Sequence, residues 1–141
     1  MSPIGAAEAF ERAPGLADRI GEGDPETLIA RASAILAGMT DAERVAVLNA
    51  HPRIGATSGL SMRSAAEQGG ATDAETLRAL ERLNAEYERT FGFRFVVFVN
   101  GRSRADIVPV LRSRLARSRE QELATGIAEF LAIARDRMTT D

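Results

Sequence analysis

The chain has 141 residues, 45% hydrophobic and 27% charged, the make-up of one soluble globular domain that buries about two-thirds of its unfolded surface. It has no cysteine, one histidine, and no lysine among its 18 basic residues. Disulfides, thiol nucleophiles, cysteine-bound clusters, multi-histidine metal sites and Schiff-base chemistry are thereby excluded, and a net charge of −2 lacks the basic footprint of a nucleic-acid binder.

In chain order, the N-terminal MSPIGAAEAFERAPG carries acidic residues where a secretory signal would be positive, so the expected compartment is the cytoplasm. Asp24-Pro25-Glu26 reads as an N-cap with proline at the first helical position; Leu28, Ala32, Ile35, Leu36 and Met39 then form one apolar stripe, with Gly38 loosening its end. Thr40 and Glu43 have capping-box spacing, and the helix they open should stop at Ala50 or His51, because Pro52 disfavours helical backbone in the residue before it. His51 to Ser64 holds Pro52, Gly55 and Gly59 among small polar residues and reads as an ordered loop. Thr72 and Glu75 repeat the capping spacing, after which Leu77, Leu80, Tyr87 and Phe91 share a face as far as Gly92. Phe93 to Val99 is aromatic and β-branched and ends in Asn100-Gly101, the pattern of a strand and turn with no partner strand in view. Its apolar run from Phe95 to Val99 is far short of the roughly 20 residues that span a bilayer. Pro109 falls inside a helix expected from about Ser103 to Arg117, where it shifts the start or kinks the first turns. Ser118 and Gln121 open a last helix with apolar positions Leu123, Ile127, Phe130, Ala134 and Met138. The expected fold is all-α: a single multi-helix domain over residues 1–141 with one short buried extended segment, whose backbone groups must find partners elsewhere, a bound small molecule among the possibilities.

Several residues stand out chemically. At about 100° per residue, Arg137 falls on the apolar face of the last helix while Arg135 faces solvent. A guanidinium there either snorkels or holds a carboxylate or anion. His51 sits at a helix C-terminus and a loop mouth, placed to reach a cavity or merely to cap. Glu67, three residues after Ser64, has capping-box spacing, and a cap can also face a site. Asn84 within its apolar stripe reads as a hydrogen-bonded core amide. Arg102, Arg104, Arg112, Arg114, Arg117 and Arg119 are opposed locally only by Asp106; a solvated face is the plainer reading and a partner-binding face the alternative.

Taken together, AHPRIG (from Ala50), SAAEQ (from Ser64), LNAEYERTFGFRFVVFVNGR (from Leu83), ADIVPVLRSRL (from Ala105) and ELATGIAEFLAIARDRM (from Glu122) resemble the OHCU decarboxylase family, the 2-oxo-4-hydroxy-4-carboxy-5-ureidoimidazoline decarboxylases of urate degradation. The resemblance covers roughly Thr40 to Met138. It implies catalytic roles for His51, Glu67 and Arg137, and substrate contacts from Pro52, Ser64, Ala65, Ala66, Gln68 and the run Phe95, Val96, Val97, Phe98 and Val99. The N-terminal part looks shortened, Arg53-Ile54-Gly55-Ala56 stands where many members have Asp-Leu-Ala-Gly, and Pro109 is a further departure.

The resemblance also implies a homodimer, a 5-hydroxyisourate hydrolase that supplies the substrate, and no metal or cofactor. The departing carboxylate lies next to a ring C=N that can accept its electron pair, so acid–base groups and placed charge suffice. The competing expectation is a non-catalytic helical module that keeps the pocket for a small ligand or a partner.

Overall fold

A computed structural model describes residues 20–21, 23–54 and 74–139. Among these lie five helices and no strand: α1 (Pro25–Ala37), α2 (Asp41–Ala50), α3 (Ala74–Phe91), α4 (Arg104–Leu115) and α5 (Arg119–Thr139). The starts of α1, α2, α4 and α5 follow from side-chain caps that satisfy orphan N–H groups. Asp24 accepts from the Thr27 N–H at 3.0 Å; Thr40 with Glu43, and Ser103 with Asp106, form complete capping boxes. Ser118 and Gln121 exchange two bonds of 3.1 Å in the same way. At the end of α3, Gly92 takes φ +84° and donates to the Glu88 carbonyl at 2.9 Å.

Helix α4 continues through the exposed Pro109. The proline leaves the Ala105 carbonyl without its usual donor, and since Ala105 is also exposed, water can replace that bond.

Helix α5 is the hub, packing on α1, α2 and α3, while α4 packs on α3. The expected stripe of α1 is buried at Leu28, Ala32 and Leu36, with Ile35 and Met39 half-buried. Helices α2 and α5 meet at Gly126, where an added Cβ would lie 2.9 Å from Leu48 Cδ1. Leu48 is fully buried, so this glycine sets how closely the end of α2, and hence His51, approaches α5.

Between α3 and α4 the 93–99 segment crosses the core as neither helix nor strand. Phe93, Phe95, Val96, Val97 and Val99 are all buried. The Asn100-Gly101 turn has positive φ at both positions (51° and 79°) and is closed by Arg102 N–H donating to the Val99 carbonyl at 3.1 Å. It feeds a helix rather than a second strand.

Candidate active site

His51 is the C-cap of α2, in extended backbone (φ −77°, ψ 142°) as its neighbour Pro52 requires. Its N–H donates to the Leu48 carbonyl at 3.1 Å, and its half-buried ring stands edge-on to Phe130 of α5, centroids 6.3 Å apart. Pro52 is buried beside it. The next two residues are pinned to α3. Arg53 donates to both Glu88 carboxylate oxygens at 2.7 and 2.9 Å, and Asn84 Nδ2 donates to the Ile54 carbonyl at 3.0 Å. Asn84 is thus the core amide the pattern predicts. The charge that Arg53 brings next to the His-Pro pair is matched by Glu88, whose hydrogen bonds raise the guanidinium pKa further.

The 93–99 segment is held along one edge. Arg94 N–H donates to Asn49 Oδ1 at 2.9 Å, Arg114 Nη1 to the Val96 carbonyl at 2.7 Å, Phe98 N–H to Glu129 Oε1 at 3.4 Å, and Arg102 Nη2 to the Phe98 carbonyl at 2.7 Å. All four ties fall on even-numbered residues. In a strand-like chain, consecutive residues direct their N–H and C=O groups to opposite edges, so the odd residues present the other edge. At that edge the Val99 carbonyl is taken by Arg102, whereas no hydrogen bond among the described residues reaches the main chain of Phe95 or Val97. Buried N–H and C=O groups of this kind call for a partner. The Phe98 side chain turns away, half-buried, into a groove of about 480 Å³ shared with Ile29, Leu131 and Arg135.

Arg137 is 2% exposed on the apolar face of α5, as its periodicity predicts, whereas Arg135 is exposed and ion-paired with Glu26. From Phe130, which carries the His51 ring, Arg137 lies seven residues on: about 10 Å along the axis and about 20° around it. His51 and Arg137 therefore address one face of one helix.

A second buried polar group escaped the sequence reading. Glu122, with no exposed surface, accepts from Tyr87 Oη and Arg114 Nε at 2.7 Å each and from Arg117 Nη1 at 3.0 Å. The Arg114 guanidinium also lies 4.5 Å from the Phe95 ring centroid. The arginine run is therefore only partly a solvated face. Arg114 is buried, Arg117 pairs with Glu122, Arg102 serves the turn, and Arg119 donates to the Phe91 carbonyl and stacks on Phe93. A wider helical wheel would have found Glu122, since it falls about 20° from Ile133 on the flank of the apolar stripe. The role of Arg94 had no sequence signal, because its partners Asn49 and His51 lie more than 40 residues away.

Ser64, Ala65, Ala66, Glu67 and Gln68 lie outside the described residues. Among the described residues, no group of three His, Cys, Asp or Glu side chains is arranged to hold a metal ion, and no helix is long and apolar enough to cross a membrane.

The OHCU decarboxylase family model matches residues 6–139, beginning well before the Thr40 at which the motif resemblance starts. The 2-oxo-4-hydroxy-4-carboxy-5-ureidoimidazoline decarboxylase of Haloferax volcanii is 30% identical over 139 residues, 93% of this chain and 83% of that protein. The uric acid degradation bifunctional protein PucL of Bacillus subtilis is 32% identical over 96 residues, 65% of this chain, which spans only 19% of that longer protein. A crystal structure of an OHCU decarboxylase in the presence of (S)-allantoin has the same fold, with a TM-score of 0.77 at 24% identity over 93% of this chain and 92% of that one. With a family model spanning nearly its whole length and an all-α fold to match, this chain belongs to the OHCU decarboxylase family.

Proposed function

We propose that the chain is a carboxy-lyase that decarboxylates 2-oxo-4-hydroxy-4-carboxy-5-ureidoimidazoline to (S)-allantoin, with His51, Glu67 and Arg137 as its catalytic groups. The observation that carries this reading is the contact of the His51 ring with Phe130 on the face of α5 that also carries the fully buried Arg137. The edge at Phe95 and Val97, which no hydrogen bond reaches among the described residues, supports it, because a ureido group, with its own N–H and C=O, can pair with such an edge as a neighbouring peptide would.

In the reaction the bond to the carboxylate breaks, and its electron pair passes toward the adjacent C=N as CO2 leaves. The ring nitrogen that receives the pair gains a proton while the hydroxyl gives one up and its carbon becomes a carbonyl, and the former imine carbon of the enol-like intermediate takes one proton on a single face. His51 moves the proton, Glu67 orients the substrate or the imidazole, and Arg137 supplies a fixed positive charge. A tight grip on the carboxylate itself would oppose CO2 loss, since only interactions stronger in the transition state accelerate the step. Pro52, Ser64, Ala65, Ala66, Gln68 and the segment from Phe95 through Val96, Val97 and Phe98 to Val99 complete the substrate contacts. The same reading has the protein act as a cytoplasmic homodimer supplied by a 5-hydroxyisourate hydrolase; sedimentation at micromolar concentration checks the dimer.

The test follows allantoin formation from freshly generated substrate. His51→Asn, folded by circular dichroism, should lose at least about a hundredfold in kcat, the usual worth of a general acid–base. Arg137→Leu should lose about ten- to a hundredfold in kcat/KM, the worth of a hydrogen bond to a charged group. Near-normal turnover in either folded variant contradicts its role.

A further inference from the structure

Arg94 is the one charged residue in the otherwise apolar run from residue 93 to residue 99. Its main-chain N–H donates to Asn49 Oδ1 at 2.9 Å, and its guanidinium Nη1 donates to the His51 carbonyl at 3.0 Å. One residue of the extended segment thus grips the last turn of α2 at two points, on its own backbone and at its side-chain tip. Besides this clamp, α2 rests on α5 through the close Leu48–Gly126 contact, and the His51 ring rests on Phe130. The cap residue is thus held by two elements, the extended segment and α5. A carbonyl held by a guanidinium also limits rotation of the peptide between His51 and Pro52, and with it the direction of the Cα–Cβ bond that aims the imidazole.

From this geometry we infer that Arg94 is a positioning residue: it locks the His51 backbone to the extended segment, so that the proton-moving group and the substrate-binding edge form one unit. The inference rests on the decarboxylase reading above. It predicts a defect in the chemical step rather than in binding, because misplacing a catalytic group by a fraction of an ångström slows the reaction without removing substrate contacts.

The test compares Arg94→Ala, Arg94→Lys and His51→Asn singly, with Arg94→Ala also placed in the His51→Asn background. Arg94 is half-buried and lies outside the apolar core, and the lysine variant retains a donor should the alanine variant fail to fold. Arg94→Ala should lower kcat about tenfold or more with KM within about twofold, Arg94→Lys should retain part of the rate, and the double variant should be no slower than His51→Asn alone. Because His51 is the only histidine, its ring Cε1–H and Cδ2–H proton resonances are identified without assignment, and Arg94→Ala should shift or broaden them. Unchanged kcat and unchanged His51 resonances, or an equal loss in both backgrounds, would overturn the inference. A wild-type protein that does not turn over the substrate would instead overturn the decarboxylase reading, leaving the resonances to decide the coupling.

Discussion

Tyr87 holds an unusual position among the titratable side chains, because with no lysine and no cysteine in the chain it is the only one whose ordinary pKa lies between those of histidine and arginine. Burial, and the hydrogen bond its hydroxyl donates to Glu122, push its pKa well above the ordinary value near 10. Below about pH 10 the folded and unfolded chains both keep the proton, and the stability is whole. Above it the unfolded chain releases the proton first, so stability falls with rising pH until the folded group ionises. Denaturant unfolding from pH 8 to 11.5 should show this decline in the wild type, and Tyr87→Phe should be flat over the same range from a lower starting stability. Equal slopes would contradict the assignment. At this scale, legibility depended on whether a residue's oddity was local. Arg137 was visible because a charge interrupts an apolar stripe at helical spacing. Arg94 became meaningful only once the fold brought Asn49 and His51 to it.

Among the elements, the 93–99 segment shows most clearly where propensity stops. Its composition announces an extended run and its Asn-Gly an ensuing turn, and both are present. What replaces the missing partner strand is a set of side chains from α2, α4, α5 and the turn, which no short-range pattern encodes. Chief among them is Arg114, 5% exposed and paired with Glu122, which has no exposed surface. Removing Glu122 leaves the buried Arg114 guanidinium without its carboxylate, at a cost of about 3–5 kcal/mol, whereas removing Arg114 still leaves Glu122 paired with Arg117. Glu122→Leu should therefore lower the Tm by about 10 °C or more, and Glu122→Leu with Arg114→Met should recover most of that loss. Calorimetry decides the point. A double variant no more stable than the single one would show that the Val96 tie, not the ion pair, dominates.

At the level of the whole molecule, several helix boundaries were legible because caps and stops are written locally: Thr40 with Glu43, Ser118 with Gln121, Pro52 after His51, Gly92 after Phe91. The arrangement of those helices around α5 was not, since it depends on contacts such as Leu48 on Gly126, between residues 78 positions apart. That arrangement brings the single histidine onto the α5 face that carries a fully buried arginine, while among the described residues no hydrogen bond reaches the main chain of Phe95 or Val97. A chain with so few nucleophiles suits a reaction whose substrate supplies its own electron sink, leaving the protein to place charge and deliver one proton. Stereochemistry is the direct readout of that delivery, because the uncatalysed decay of the substrate has no preferred face. Circular dichroism of the allantoin formed when the purified protein meets freshly generated substrate should show the (S) enantiomer appearing faster than the decay in buffer; racemic allantoin, or allantoin appearing no faster than in buffer, would contradict the account.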